Sequence, residues 1–263
     1  MTITGTTRVL AILGDPIAHA RAPRLVNDAL AARGDDAVMV PIQVAADGLA
    51  RVVDGLRAMQ SFAGGVVTMP HKEAIVALLD DVSAEARQVG ACNTIRRTAD
   101  GRLVGTMFDG EGFVAGLAAS GHAVRGRRVF LCGAGGAAAA IAFAMGRHGA
   151  TRLTLYNRTT ARAAALADHV RAAWPALAVA LGGPDPSGHD LVVNATALGM
   201  RPGDAALPCD VSGMTPGTLA ADVVIRQPTA FLAAAAARGA VVVGGEPMLV
   251  AQIGLIVDFV LAG

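Results

Sequence analysis

Arg127-Arg128-Val129-Phe130-Leu131-Cys132-Gly133-Ala134-Gly135-Gly136-Ala137 runs a β-forming stretch straight into a glycine-rich turn, and an alanine-rich run then continues to His148. A strand, a Gly-x-Gly-Gly turn and a helix in that order make the opening βα unit of a dinucleotide-binding fold. Gly133 permits the tight turn, and Gly135 lets the backbone approach a pyrophosphate. Ala134, Gly136 and Ala137 complete the turn, and the first amides of the helix can bind the anion. A glycine turn also serves any close strand–helix packing, so its place directly after a strand carries the weight.

One βα unit downstream, a strand over Arg152–Tyr156 ends in Asn157-Arg158-Thr159, with Arg162 one turn into the helix Thr160–Ala173. An NAD site places an acidic residue at that strand end for the ribose 2′-hydroxyl. Arginines there can instead clamp a 2′-phosphate through charge-assisted bonds. A solvated helix start explains the same residues; beside the glycine turn they point to NADP(H). Leu191–Asn194, Ala221–Ile225 and Ala240–Val243 read as the remaining strands of this half.

The upstream half alternates in the same way. Strands are predicted at Arg8–Leu13, Ala37–Val44 and Gly65–Thr68, with helices from Pro23 to Gly34, over Gly48–Met59 and over His71–Asp80. Asn93–Arg97 and Leu103–Gly105 flank a turn at Asp100-Gly101. The whole reads as an α/β chain with parallel sheets in two halves, 1–108 and 109–244. Residues 245–263, apolar from Met248 to Leu261, are expected to return as a packed helix that completes the first half.

Composition narrows the function. Of 263 residues, 53% are hydrophobic and only 3% aromatic, with 32 glycines, which suits helices packed closely on a sheet. The net charge of +1 and the lack of a basic run speak against nucleic-acid partners. Cys92, Cys132 and Cys209 are odd in number and lie in apolar surroundings, as expected of reduced thiols in a cytoplasmic protein. No Cys-x-x-Cys or His-Cys cluster points to a metal. Met1 to Leu13 lacks a secretory pattern, and no apolar run is long enough for a membrane span. The expected partner is a small molecule, bound by a monomer or a homodimer.

The basic residues are 21 arginines and one lysine, Lys72. Guanidinium stays protonated in proteins, whereas an amine can exchange a proton near neutral pH. Composition alone leaves a chance survivor open, so the surroundings of Lys72 must decide. They read Gly64-Gly65-Val66-Val67-Thr68-Met69-Pro70-His71-Lys72-Glu73. With Gly14-Asp15-Pro16-Ile17-Ala18-His19, Gly90-Ala91-Cys92-Asn93-Thr94 and Gly105-Thr106-Met107-Phe108-Asp109-Gly110, this segment resembles the shikimate dehydrogenase family. The likeness continues through Gly133–Ala137, Asn157-Arg158-Thr159, Asn194-Ala195-Thr196 and Met248-Leu249-Val250-Ala251-Gln252, in one order along the chain.

The resemblance implies an α/β substrate domain joined to a Rossmann NADP-binding domain, with the last helix returning to the first. It implies that Lys72 and Asp109 are catalytic, Lys72 passing a proton and Asp109 orienting it. Asn93 and Gln252 would meet substrate hydroxyls, and Thr68 would line the pocket. Gly133–Ala137, Asn157, Arg158, Thr159, Arg162, Asn194 and Thr196 would serve the cofactor. An ion pair at a domain seam is the plainer account of Lys72 and Asp109.

Departures from the family cluster around one task. Where the family usually carries Ser-x-Ser to hold a substrate carboxylate, this chain has Ala20-Arg21-Ala22. A helping tyrosine matches Ile225, an asparagine matches Val66, and Asn-Thr before the catalytic aspartate matches Met107-Phe108. A buried carboxylate without donors costs several kcal/mol. Either Arg21, Arg226 or His71 holds a carboxylate in another orientation, or the substrate has none and meets Ala20, Ala22, Val66, Phe108 and Ile225. The second alternative is preferred. A catalytically silent NADP-binding sensor is the competing class, and retention of Lys72 speaks against it.

Overall fold

The computed structural model describes residues 2–18, 20–225 and 228–262. It divides into two compact units, Met1–Phe108 with Gln252–Gly263, and Asp109–Ala251.

The first unit holds β1 (Arg8–Gly14), α1 (Ala22–Arg33), β2 (Ala37–Gln43), α2 (Leu49–Ala58), β3 (Phe62–Val67), β4 (Asp81–Val82), α3 (Ala84–Val89), β5 (Thr94–Arg97) and β6 (Leu103–Thr106). Its sheet order is β2-β1-β3-β5-β6-β4. The parallel expectation holds for β1 with β2 and β3. It fails at β5, which runs antiparallel to both β3 and β6 because the Asp100-Gly101 turn closes a hairpin. Every residue of β3 is buried, and a side chain at Gly65 would run into the Ala11 carbonyl oxygen. That close approach of β3 to β1 requires glycine.

The helix predicted over His71–Asp80 is only a 3₁₀ segment, Ala74–Leu78. The chain ahead of it is pinned by other bonds, including His71 N–H to the Thr68 carbonyl and Ile75 N–H to the His71 carbonyl. The chain then enters β4 and α3, neither of which the periodicity revealed. Ser83 caps α3 by accepting from Ala86 N–H, and Gly90 ends it in the left-handed conformation.

The second unit runs α4 (Asp109–Ala119), β7 (Arg128–Cys132), α5 (Gly136–Arg147), β8 (Arg152–Tyr156), α6 (Thr160–Ala173), β9 (Ala178–Leu181), β10 (Leu191–Asn194), β11 (Leu219–Asp222), α7 (Ala230–Ala237), β12 (Val241–Val243) and the first turns of α8 (Glu246–Leu261), whose residues from Gln252 onward belong to the first unit. Its sheet, β12-β11-β10-β7-β8-β9, is parallel throughout. Read from β9, this is the doubly wound order 3-2-1-4-5-6, which reverses between β7 and β10. Buried Phe130, Val192, Ala220, Phe231 and Ala235 pack one hydrophobic cluster of this unit.

Several boundaries moved, two of them next to candidate site residues. β11 lies earlier than the predicted Ala221–Ile225 because the Asp222 carboxylate accepts Val224 N–H at 2.9 Å and turns the chain out of the sheet. The return to the first unit comes inside α8, after Ala251, later than the break read at residue 245. Among the described residues no helix is long and apolar enough to cross a membrane, and no group of three or more His, Cys, Asp and Glu side chains is placed to hold a metal ion.

Candidate active site

In the second unit the glycine turn leaves β7 at the reversal of strand order. Gly133 has φ +117° and donates its N–H to the Tyr156 carbonyl at 2.8 Å. A Cβ there would stand 2.7 Å from the Ala195 carbonyl oxygen, in the loop after β10. Gly135 caps α5 with an ordinary extended backbone, φ −98° and ψ −177°, and brings no side chain to the cap. Residues 134–137 are half-buried. The first amides of α5 thus begin beside a bare backbone, a cradle suited to a pyrophosphate.

At the end of neighbouring β8, Asn157 is half-buried and its Nδ2 donates to the Thr159 carbonyl at 2.9 Å, shaping the turn. Thr159 caps α6 without a side-chain bond. Arg158 and Arg162 are exposed, and no acidic side chain stands in Asn157-Arg158-Thr159 to repel a 2′-phosphate. The residues present fit NADP(H).

Asn194 and Thr196, read as cofactor residues, shape a buried network. Asn194 Nδ2 donates to Asp222 Oδ1 at 3.0 Å and to the Leu198 carbonyl at 3.1 Å. Its Oδ1 accepts from Thr196 N and Oγ1. Asp222 also accepts from Thr229 Oγ1 at 2.7 Å. Burial raises the Asp222 carboxyl above its usual range, against the pull of bonds from Val224, Thr229 and Asn194. The network ties the loop after β10 to the chain leaving β11, where half-buried Ile225 lies. Sequence reading missed Asp222 and Thr229. The Asp-x-Val spacing at the strand end and the threonine cap of α7 were the available signals. Asp109 opens α4 and is buried.

In the first unit the segment around Lys72 is held on both sides. Thr68, half-buried, donates its N–H to the Leu13 carbonyl, and Cys92 N–H donates to the Lys72 carbonyl at 2.8 Å. Lys72 is half-buried. Next to Cys92, Asn93 is almost fully buried; its Oδ1 accepts from Thr94 Oγ1 and Phe108 N–H, each at 3.0 Å. Its Nδ2 donates to Gln252 Oε1 at 3.0 Å. The unit therefore brings the Lys72 segment, Asn93, Phe108 and Gln252 together.

Ala22 and Val66 are buried, and Ala20 and Phe108 half-buried. Ala22 begins α1, one residue ahead of the predicted start at Pro23, and Arg21 is its exposed cap residue. His71, a candidate carboxylate anchor, has a backbone partner. It is 1% exposed and its Nε2 bonds the Val44 carbonyl at 2.7 Å, joining the Lys72 segment to the end of β2. Arg226, another candidate anchor, lies outside the described residues, as does His19.

Comparison with known proteins agrees over both units. Residues 12–95 match the shikimate dehydrogenase substrate binding domain, and residues 117–181 match shikimate / quinate 5-dehydrogenase. A shikimate dehydrogenase (NADP(+)) of Geobacter metallireducens is 41% identical over 263 residues, covering 96% of this chain and 90% of that protein. Among solved structures, a shikimate dehydrogenase in complex with NADP+ superposes with a TM-score of 0.91 at 28% identity, covering 100% of this chain and 92% of the other. The ligand-free 5-ketofructose reductase of Gluconobacter sp. strain CHM43 gives a TM-score of 0.83 at 33% identity, covering 98% and 94%.

Proposed function

This chain belongs to the shikimate dehydrogenase family, and from that premise we propose that it is an NADP-dependent oxidoreductase acting on a small, cyclic hydroxy or keto compound that carries no carboxylate. NADP(H), held by the turn Gly133–Ala137 and by Arg158 and Arg162, would supply or accept the hydride.

The remaining work falls to side chains. Lys72, as ammonium, hydrogen-bonds the substrate carbonyl oxygen, stabilises the charge that develops there and donates its proton; in the reverse direction the neutral amine takes the hydroxyl proton. Asp109 orients the amine. Asn93, Gln252 and Thr68 hold neighbouring substrate oxygens and set the reacting carbon in place.

The observation that carries this reading is the Asn93–Gln252 amide pair beside the Lys72 segment, with Val66 and Ala22 buried in the same unit and His71 engaged by Val44. Such surroundings supply amide donors for neutral oxygens, and apolar side chains stand where the family usually carries hydroxyls. The name of the 5-ketofructose reductase denotes a neutral keto-sugar, in keeping with this class. Names of curated relatives near 40% identity favour shikimate itself as the second reading.

A panel of cyclic ketones and alcohols, with and without a carboxylate, followed by NADPH absorbance separates the two. Neutral compounds should turn over, and Lys72→Met should lower kcat by roughly 10²–10⁴-fold with NADPH binding retained. Turnover confined to carboxylates would reject the neutral-substrate reading. Equal rates in Lys72→Met would reject the proton assignment.

A further inference from the structure

The Asn93 amide has a settled polarity. A backbone N–H can only donate, so Phe108 N–H identifies the atom it reaches as Asn93 Oδ1. Asn93 must then donate through Nδ2, and Gln252 must answer with Oε1. Gln252 is left with Nε2, a donor, as the polar group it can offer a ligand oxygen. Phe108 is therefore the residue whose placement decides which face of the amide pair a substrate meets.

Phe108 is itself held from α8. Its ring stands edge-on to Phe259, centroids 5.9 Å apart and planes at 81°, a favoured aromatic geometry. The Arg96 guanidinium lies 5.1 Å from the Phe259 ring centroid, within cation–π range. Arg96 Nη1 also donates to the Ala262 carbonyl at 2.6 Å, just past the end of α8, where a cation is favoured by the helix dipole. Arg96 Nε is buried without a hydrogen-bond partner, a cost not expected of a guanidinium serving only as surface charge. Gln252 and Phe259 lie two turns apart on α8 and therefore share a face. That helix is thus gripped at both points by residues that also touch Asn93 or Phe108.

We propose that Arg96 and Phe259 are positioning residues for the substrate: through Phe108 they fix the Asn93–Gln252 pair with its donors toward the ligand. The proposal rests on the substrate reading above. It predicts that loosening the Phe259 contact alters substrate binding while leaving the cofactor unit untouched.

Phe259→Leu keeps apolar bulk and removes the ring edge, and Arg96→Gln removes the cation. Each should raise KM for a ketone turned over by the wild type by about fivefold, with a smaller change in kcat and an unchanged NADPH dissociation constant. In an Asn93→Ala background Phe259→Leu should add little, since the amide it positions is gone. An unchanged KM, or effects that simply multiply, would overturn the proposal. So would a parallel loss of substrate and NADPH binding with lowered thermal stability, which marks a general structural role.

If the wild type turns over nothing in the panel, the substrate reading fails and the relay is still judged in the free protein. The Asn93 side-chain NH₂ resonances should then shift in Phe259→Leu and in Arg96→Gln. Resonances that coincide with the wild type would reject the relay by itself. Should Phe259→Leu not fold, Arg96→Gln decides by the same readouts.

Discussion

Gly133→Ala and Gly135→Ala, two substitutions in one turn, should fail in opposite ways. At Gly133 the backbone has φ +117°, a region costing a residue with a side chain about 1–3 kcal/mol. The new methyl would also stand 2.7 Å from the Ala195 carbonyl oxygen and 3.0 Å from its carbon, both backbone atoms. Moving that loop adds overpacking of about 1–3 kcal/mol. Together these give about 2–6 kcal/mol, or roughly 5–20 °C in Tm for a chain of this size. Gly135 has an extended backbone that any residue adopts. Alanine is a poor cap, so the stability cost there is about 1 kcal/mol or less. Its methyl would instead occupy the approach to the α5 amides. Losing one charge-assisted amide–phosphate bond, worth about 1.5–3 kcal/mol, weakens NADPH binding by about tenfold or more. Thermal unfolding followed by circular dichroism, with NADPH fluorescence titration of the folded variants, measures both effects. Wild-type Tm in Gly133→Ala, or wild-type NADPH affinity in Gly135→Ala, would refute this division of labour between the glycines.

The arginines at the end of β8 give a second test. Arg158→Gln and Arg162→Gln should each weaken NADPH binding by about tenfold and leave NADH nearly unchanged, because only the 2′-phosphate is lost as a partner; equal losses for both nucleotides would remove the clamp. Acid stability gives a third. Asp190 accepts from Arg128 Nη2 at 2.7 Å, Nε at 3.1 Å and backbone N–H at 2.8 Å, which holds its carboxyl down at about 2. A lowered folded-state value stabilises above the unfolded value of 3.8 and is lost as pH falls through about 2. With the Asp190 side chain 35% exposed, screening limits this contribution to about 1 kcal/mol. Urea unfolding between pH 5 and 2 should show a shallower acid loss in Arg128→Gln, and identical slopes would discount the pair.

Local features were legible where one stretch of chain carries its own reason. β8 and α6 occupy the predicted residues, Arg152–Tyr156 and Thr160–Ala173, because a β-rich run and an uninterrupted helical run are separated by a clear break. The glycine turn was legible because strand, turn and helix are contiguous. The segment after Pro70 was not, since its helical composition is overruled by bonds to Val44 and Cys92, both distant in sequence. β4 and α3 are too short for periodicity to register. β9, only Ala178–Leu181, shows little of the burial alternation that marks a strand.

The site followed the same division. Residue type drew attention to Lys72 and to the arginines after β8, because proton exchange and phosphate binding each demand a particular side chain, whereas the amides Asn93 and Gln252 entered only through the family resemblance. His71 was one of three candidate anion ligands, and only the structure shows that its buried ring bonds the Val44 carbonyl. Asn194 was read as a cofactor residue by position in its motif, and the bond from its amide to Asp222 is visible only in the tertiary structure.

By itself, then, the amino-acid order determined the class of fold, the phosphate turn and the kinds of chemical group on offer, since these depend on neighbours within one βα unit or on a side chain's own chemistry. Tertiary structure alone decided the strand orders, the antiparallel β5, the place inside α8 where the chain re-enters the first unit, and which polar groups are already engaged. Those outcomes depend on partners far apart in the chain, such as Asn93 with Gln252 and Arg96 with Phe259. The direction in which a buried amide faces is set by whichever distant donor reaches it.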